Sequence, residues 1–234
     1  MNIAIVGYGK MGHIIEKIAL DKGIDVISKI DPNAEDATHK EINEESLKDV
    51  EVCIEFTAPT IAVGNIKKIA SLKKNIVVGT TAWYDKLDEV RKAVEDNDIG
   101  FIYSPNFSIG VNVFFRLIEQ VSKILDNIDE YSLSMSEAHH IHKKDAPSGT
   151  AKMIAELIEE NTDRFKGINI KSIREGEIPG THTVNFESNA DIINLEHQAK
   201  NREGFALGSV LAAEWINGKK GFYTIDDFMK GIIK

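Results

Sequence analysis

The chain has 234 residues, 42% of them hydrophobic and 28% charged, with the charges spread along its whole length. This describes a soluble globular protein of one large or two small domains. A formal net charge of -9 argues against a nucleic-acid partner, since phosphate binding needs an excess of Lys and Arg to displace counterions. Cys53, the single cysteine, has no disulfide partner. No window approaches the ~20 apolar residues of a membrane span, and the start lacks a basic stretch followed by an apolar one, so a cytoplasmic protein is expected.

"NIAIV" is a short β-branched run that stops at "GYGKMG", and Ile14, Ile15, Ile18 and Ala19 then recur at helical spacing. Gly7, Gly9 and Gly12 match G-x-G-x-x-G between strand and helix. The first allows the turn, the second lets backbone approach a pyrophosphate, and the third lets helix pack on strand. A second strand, "DVISKI", ends before Asp31, placed to accept the ribose hydroxyls of a dinucleotide; the plainer reading is a turn residue before Pro32.

"VEVCIEF", "NIVVGTT" and "IGFIYSPNFS" read as further strands, separated by the helical "TIAVGNIKKIASLKK" and "KLDEVRKAVEDN". Nearly continuous apolar strands joined through helices predict a parallel, doubly wound, Rossmann-like sheet. Ligands of such sheets lie beyond the strands' carboxyl ends. There stand the 7–12 loop with Tyr8, Lys10 and Met11, then Phe56-Thr57, Gly79-Thr80-Thr81 and Ser104-Pro105-Asn106-Phe107. Taken singly, "GTT" and "SPN" are also ordinary turns.

After Asn106 the rhythm changes. The long amphipathic "IGVNVFFRLIEQVSKILDNI" precedes the strand-like "YSLSMSEAHH", the helix "GTAKMIAELIEEN", and three strand-like runs, "INIKSIR", "THTVNFES" and "DIINLEHQA". This predicts a second, α+β domain on an open sheet, mixed or antiparallel. Two helices, "REGFALGSVLAAEWING" and "TIDDFMKGII", follow, the second capped by Thr224.

Three histidines and two lysines fall between His139 and Lys144, followed by "DAPSGTA" at the head of a helix. A metal site is one reading, although Lys143 and Lys144 would repel a cation. A solvated loop is another. The third is an anion-binding and proton-transfer site: amides at the helix start, bare Gly149, the Thr150 hydroxyl and nearby cations suit a small dicarboxylate. A histidine and a lysine can also move protons at neutral pH.

"EAHHIHKKDAPSGTA" resembles the signature of the 4-hydroxy-tetrahydrodipicolinate reductase (dihydrodipicolinate reductase) family. "IAIVGYGKMG", "VVGTT", "SPNFSIGVNV", "PGTHTVNF" and "FALGSVLAAEW" extend the similarity over nearly the whole chain in family order. The resemblance implies a dinucleotide-binding domain over 1–106, rejoined by the segment from about 213 to 234, and a substrate-binding and oligomerisation domain, built on a mixed sheet, over 107–212. It further implies NADH or NADPH as cofactor, a cyclic imine dicarboxylate as substrate, and a homotetramer. By position His139 corresponds to the catalytic acid/base and Lys143 to the proton donor; His140, Gly149 and Thr150 contact substrate, and the loops after the first-domain strands contact the dinucleotide. Hydride would reach ring C4 after loss of the 4-hydroxyl as water, and a proton would reach C3. Pro32 stands where several members carry a basic residue after the acid, which favours NADH at least equally, unless Lys10 and Lys29 compensate. The alternatives are a non-catalytic NAD(P)-binding sensor or a related amino-acid-pathway dehydrogenase; His142 and Lys144 receive no role.

Overall fold

The computed structural model describes residues 1–232 and divides into two compact units, Met1–Ile109 with Glu203 onward, and Gly110–Arg202. The expected C-terminal return to the first unit covers Ile233 and Lys234, which lie outside the described residues.

Unit 1 is a six-stranded parallel sheet. In chain order it runs β1 (Asn2–Val6), α1 (Lys10–Asp21), β2 (Asp25–Ile30), β3 (Val52–Glu55), α2 (Pro59–Ser71), β4 (Asn75–Val78), α3 (Leu87–Asn97) and β5 (Gly100–Tyr103). The strands lie in the order β10-β5-β4-β3-β1-β2, where β10 (Gly221–Thr224) comes from the end of the chain. Burial on both faces explains why the strands carry apolar side chains without alternation: Ile3 and Ile5 of β1 point to one core, Ala4 and Val6 to the other. The first core is closed by α1, α6 (Glu203–Ile216) and α7 (Ile225–Ile232), the second by α2 and α3. Each isoleucine or valine among them taken fully from water contributes about 1.5–3 kcal/mol.

The return to unit 1 begins earlier than the expected 213. All of α6 from Glu203 belongs to it, because Ala206, Val210, Ala213 and Ile216 form one stripe buried in the first core. Strand β10 pairs in parallel with β5, and α7 follows it directly. At the start of α7 the expected roles are reversed: the Thr224 backbone N–H and hydroxyl both donate to Asp227 Oδ2, at 2.8 and 3.0 Å, so the Asp227 carboxylate reaches back to tie the helix start.

Contact between α6 and the loop after β5 is close: a Cβ added at Gly208 would lie 1.7 Å from the Phe107 carbonyl oxygen. Gly208→Ala is therefore expected to destabilise unit 1 by about 1–3 kcal/mol, the usual range for overpacking. A urea titration reads it, and an unchanged midpoint would show that α6 can shift freely.

Unit 2 contains α4 (Ile109–Leu125, its first residue still in unit 1), β6 (Ser132–His139), α5 (Gly149–Asn161), β7 (Ile170–Arg174), β8 (Thr181–Glu187) and β9 (Ile192–Gln198). Its sheet order is β7-β6-β8-β9, with β6 parallel to β7 and antiparallel to β8, so the sheet is mixed. Phe114 and Ile118 of α4 with Ile154 and Ile158 of α5 cover the face bearing Met135, Val184 and Phe186. On the opposite face, alternation places small and polar side chains such as Ser134, Ser136, Thr183 and Asn185. None of the described helices is long and apolar enough to cross a membrane.

Candidate active site: a dinucleotide loop cluster and a buried histidine cluster

In unit 1 the expected loops all lie at the carboxyl end of the sheet. Gly7 sits at φ +92, and a Cβ there would lie 2.0 Å from the Phe56 carbonyl oxygen, so the turn both adopts a left-handed conformation and touches the neighbouring strand end. Gly9 caps α1 with no side-chain hydrogen bond, and an added Cβ would meet nothing within 4 Å. The first-turn amides of Lys10, Met11 and Gly12 have no acceptor within the helix, and the bare Gly9 lets a ligand approach that turn, the arrangement that holds a pyrophosphate.

Asp31 follows β2. Its Oδ2 accepts from the Tyr8 amide at 2.9 Å, and Oδ1 accepts from the amides of Asn33 and Ala34 at 2.8 and 3.1 Å. Burial pulls its carboxyl up, but these three donors outweigh it and hold the group below its usual range, ionised. The carboxylate retains lone pairs for ribose hydroxyls while it pins the glycine loop. The residues present thus fit a nicotinamide dinucleotide. Lys29 does not extend toward a phosphate. It pairs with Glu16 at 3.2 Å and lies over the Tyr8 ring, whereas Lys10 is exposed.

The next two loops are joined by a cross-link. Thr57 N–H donates to Thr80 Oγ1 at 2.7 Å, and the Thr57 hydroxyl donates to the fully buried Glu55, whose pKa burial pushes up against that bond. Gly79 packs on the Phe56 ring, Thr81 is exposed, and the Trp83 indole N–H closes the loop on the Thr80 carbonyl at 2.7 Å. After β5, the Ser104 hydroxyl donates to the Asn106 carbonyl, Asn106 Oδ1 accepts from Ser108, and Pro105 is exposed at the tip. Two of the expected cofactor positions carry structural side chains. Tyr8 is 2% exposed with its hydroxyl bonded to Glu16, and Phe107 is 2% exposed within the first core, so what they can offer a ligand is backbone.

In unit 2, strand register assembles a site that linear sequence conceals. Period-2 alternation puts Glu137 and His139 on the covered face of β6. The parallel pairing sets Arg174 of β7 beside His139, and the antiparallel pairing sets His182 of β8 opposite Glu137. Glu137 is 1% exposed. Arg174 Nη2 donates to its Oε1 at 2.8 Å, and His139 Nδ1 contacts its Oε2. Burial raises the Glu137 carboxyl, yet the polar groups beside it, Arg174 foremost and then Ser172 and His139, outweigh it and hold it ionised. For His139, burial is the largest influence and lowers the imidazole below its ordinary value; Lys143 and Arg174 add to this and Glu137 opposes. On the far side of the ring, a Cβ at Gly180 would lie 3.0 Å from Nε2, so the glycine leaves room at that nitrogen.

The loop from His140 to Ser148 brings the remaining expected residues alongside. Lys143, partly exposed, donates to Asp145 Oδ1 at 2.9 Å, and Arg174 holds the loop by donating to the Asp145 carbonyl at 2.6 Å. His140 is half-buried; His142 and Lys144 are exposed. Ser148 caps α5, accepting from Ala151 N–H at 3.2 Å, and lies 3.2 Å from His182 Nε2. Gly149 is exposed and Thr150 partly so, which leaves the α5 start open to an anion. Glu137, His139 and His182 offer ligand atoms within 4.8 Å of one another, but the Arg174 guanidinium already neutralises the carboxylate that a metal would need. Glu137, Arg174 and His182 are functional candidates that sequence reading did not single out. Only the first had a linear signal, lying two residues before His139 on a strand.

Comparison with known proteins accords with both halves. The family model for "Dihydrodipicolinate reductase, N-terminus" matches residues 1–107, and that for "Dihydrodipicolinate reductase, C-terminus" matches residues 110–229. A protein of Christiangramia forsetii named 4-hydroxy-tetrahydrodipicolinate reductase is 38% identical, with 100% of each chain covered. A protein of the same name from Archaeoglobus fulgidus is 35% identical, covering 98% of this chain and 100% of that one. Among solved structures, dipicolinate-bound dihydrodipicolinate reductase from Paenisporosarcina sp. TG-14 shares the fold, with a TM-score of 0.80 and 22% identity over 96% of this chain and 97% of that one. With both halves matched in order and curated relatives alike from end to end, the chain belongs to the dihydrodipicolinate reductase family.

Proposed function

We propose that the protein reduces 4-hydroxy-tetrahydrodipicolinate to tetrahydrodipicolinate with NADH or NADPH, a step of the diaminopimelate route to lysine. The observation that carries this reading is the convergence of His139, Lys143 and the open start of α5 in a chain whose full-length relatives are named for that reaction. Bound reduced nicotinamide supplies the hydride. The glycine loop holds its pyrophosphate, Asp31 its ribose, and the 79–81 and 104–107 loops the remainder. In unit 2 the α5 amides with Thr150 and His140 hold the substrate carboxylates and so fix the ring. Loss of the 4-hydroxyl as water and hydride addition at C4 leave enamine character. Lys143, as an ammonium, delivers the proton at C3, and His139 exchanges protons beside it.

Cys53 supports this over a thiol-dependent semialdehyde dehydrogenase, because it is fully buried in β3 and burial pushes its thiol far up, out of nucleophilic range. The engagement of Lys29 by Glu16, together with Pro32 after Asp31, supports use of NADH at least as well as NADPH. The small polar face of the unit 2 sheet is the surface on which a homotetramer would form, and a cytoplasmic location suits the lone reduced cysteine.

Incubation with NADH or NADPH and freshly generated substrate, followed by nicotinamide absorbance, tests the function. Substrate-dependent loss of signal is expected; binding without turnover would instead identify a dinucleotide sensor. The same assay gives kcat/KM for each cofactor, and the NADH value is expected to equal or exceed that for NADPH. A strong NADPH preference would mean that Lys10 or Lys29 reaches the 2′-phosphate.

A further inference from the structure

We propose that Glu137 is a positioning residue: gripped at one oxygen by Arg174 and at the other by His139, it locks the His139 ring in the tautomer that carries its proton on Nδ1. Nε2 is then the one nitrogen that exchanges protons. The inference rests on the reading of His139 as the acid/base, which it deepens by assigning the working atom.

The argument begins with hydrogen-bond inventory. A carboxylate only accepts, and a guanidinium only donates. Glu137 is buried, and an ionised group there is tolerated only when partnered. Arg174 provides that partner at 2.8 Å and is itself anchored to the Ile173 and Asp145 carbonyls, at 2.7 and 2.6 Å. The second carboxylate oxygen faces His139 Nδ1, so Nδ1 must be the donor and the neutral ring keeps its lone pair on Nε2. That nitrogen lies beside Gly180, where the missing side chain leaves space.

The charged and titratable groups around His139 come from every neighbouring element: Glu137 on its own strand, Arg174 on β7, His182 on β8 at 5.3 Å between ring centroids, and Lys143 on the loop. Two are fixed cations and a third, His182, is a neutral imidazole whose pKa is lowered to about 4. Among the described residues, Glu137 is the carboxylate in direct contact with the ring. It is also what allows His139 to gain a transient charge on Nε2 within a cationic surround.

Glutamine at this position is the sharp test, because an amide has one oxygen for two donors. The charge-assisted bond from Arg174 claims the oxygen, the amide NH₂ then faces Nδ1, and the imidazole proton must move to Nε2. A carboxylate-to-amide change that forces the wrong histidine tautomer is known to be costly in serine proteases. In the full chain labelled with ¹⁵N-histidine, the His139 signals are identified by their loss in His139→Gln. The wild-type protein is expected to show a protonated Nδ1 and a bare Nε2 near neutral pH, and Glu137→Gln the reverse, with kcat lower by about 100-fold or more. KM for NADH should change little, as its loops belong to unit 1.

A neutral wild-type His139 with its proton on Nε2 overturns the proposal without any variant, so a failure of Glu137→Gln to fold does not shield it. An unflipped tautomer in a folded Glu137→Gln overturns it too. The functional reading fails separately: full activity in His139→Ala would remove His139 from the chemistry while leaving the tautomer measurement intact.

Discussion

Lys143→Ala lowers kcat by about 100-fold or more, the size expected when a positioned general acid is lost, and leaves KM for NADH nearly unchanged. The expectation follows from location and partners. Lys143 is partly exposed and its ammonium is held by Asp145 at 2.9 Å, a side chain itself exposed, so it is aimed without being buried. An exposed ion pair of this kind contributes little to stability, about 0–1 kcal/mol, and the variant should fold normally. His139→Ala should fall by a similar factor, because the ring sits beside the same loop and loses the Nε2 position. The double variant should cost far less than the product of the two, as groups serving one proton transfer act as a unit. Initial rates over a range of substrate and cofactor concentrations separate the outcomes. Normal turnover in both single variants would remove proton transfer from this loop. A rise in KM for substrate alone would make Lys143 a carboxylate clamp.

What the sequence made legible follows the range over which each signal acts. The parallel sheet could be read because burial on both faces imposes unbroken apolar runs such as Ala4–Val6 and Val52–Ile54, and the glycine loop because Gly7 and Gly12 meet local steric needs. Strand β10 was not recognised as a strand: "GFYT" is four residues long, and only its pairing with β5 reveals it. The start of the C-terminal return was placed ten residues late, since the stripe of α6 says that the helix is buried and not which sheet buries it. At the candidate site the linear cluster around His139 and Lys143 was evident. Arg174 and His182 are 35 and 43 residues from His139, and only the β6–β7 and β6–β8 registers bring them to it. Tyr8 and Phe107 show the converse, where a motif position was legible but the direction of its side chain was not.

His182 should make unit 2 markedly less stable in mild acid, the largest pH effect this site is expected to show. Burial is the main cause of its low pKa, lowered from 6.5 to about 4; the neighbouring charges of His139, His197 and Lys143 add to it, and Glu137 opposes. Its Nε2 lies 3.2 Å from the hydroxyl of Ser148, which caps α5, and its Nδ1 is buried without a hydrogen-bond partner that could share a second proton. The sign is fixed by linkage. Between pH 6.5 and about 4 the unfolded chain binds a proton at this histidine that the folded chain refuses, so stability is full above 6.5 and falls as pH drops through that window. Over the whole window the difference is on the order of 3 kcal/mol, and by pH 4.5 most of it is lost. His182→Gln removes the titration while keeping a polar side chain beside Ser148 that can either donate or accept. The loss of stability between pH 7 and pH 4.5, read from urea midpoints, is expected to be smaller in the variant by about 2 kcal/mol. Matching acid slopes in the two proteins would show that His182 protonates as freely in the fold as in solution.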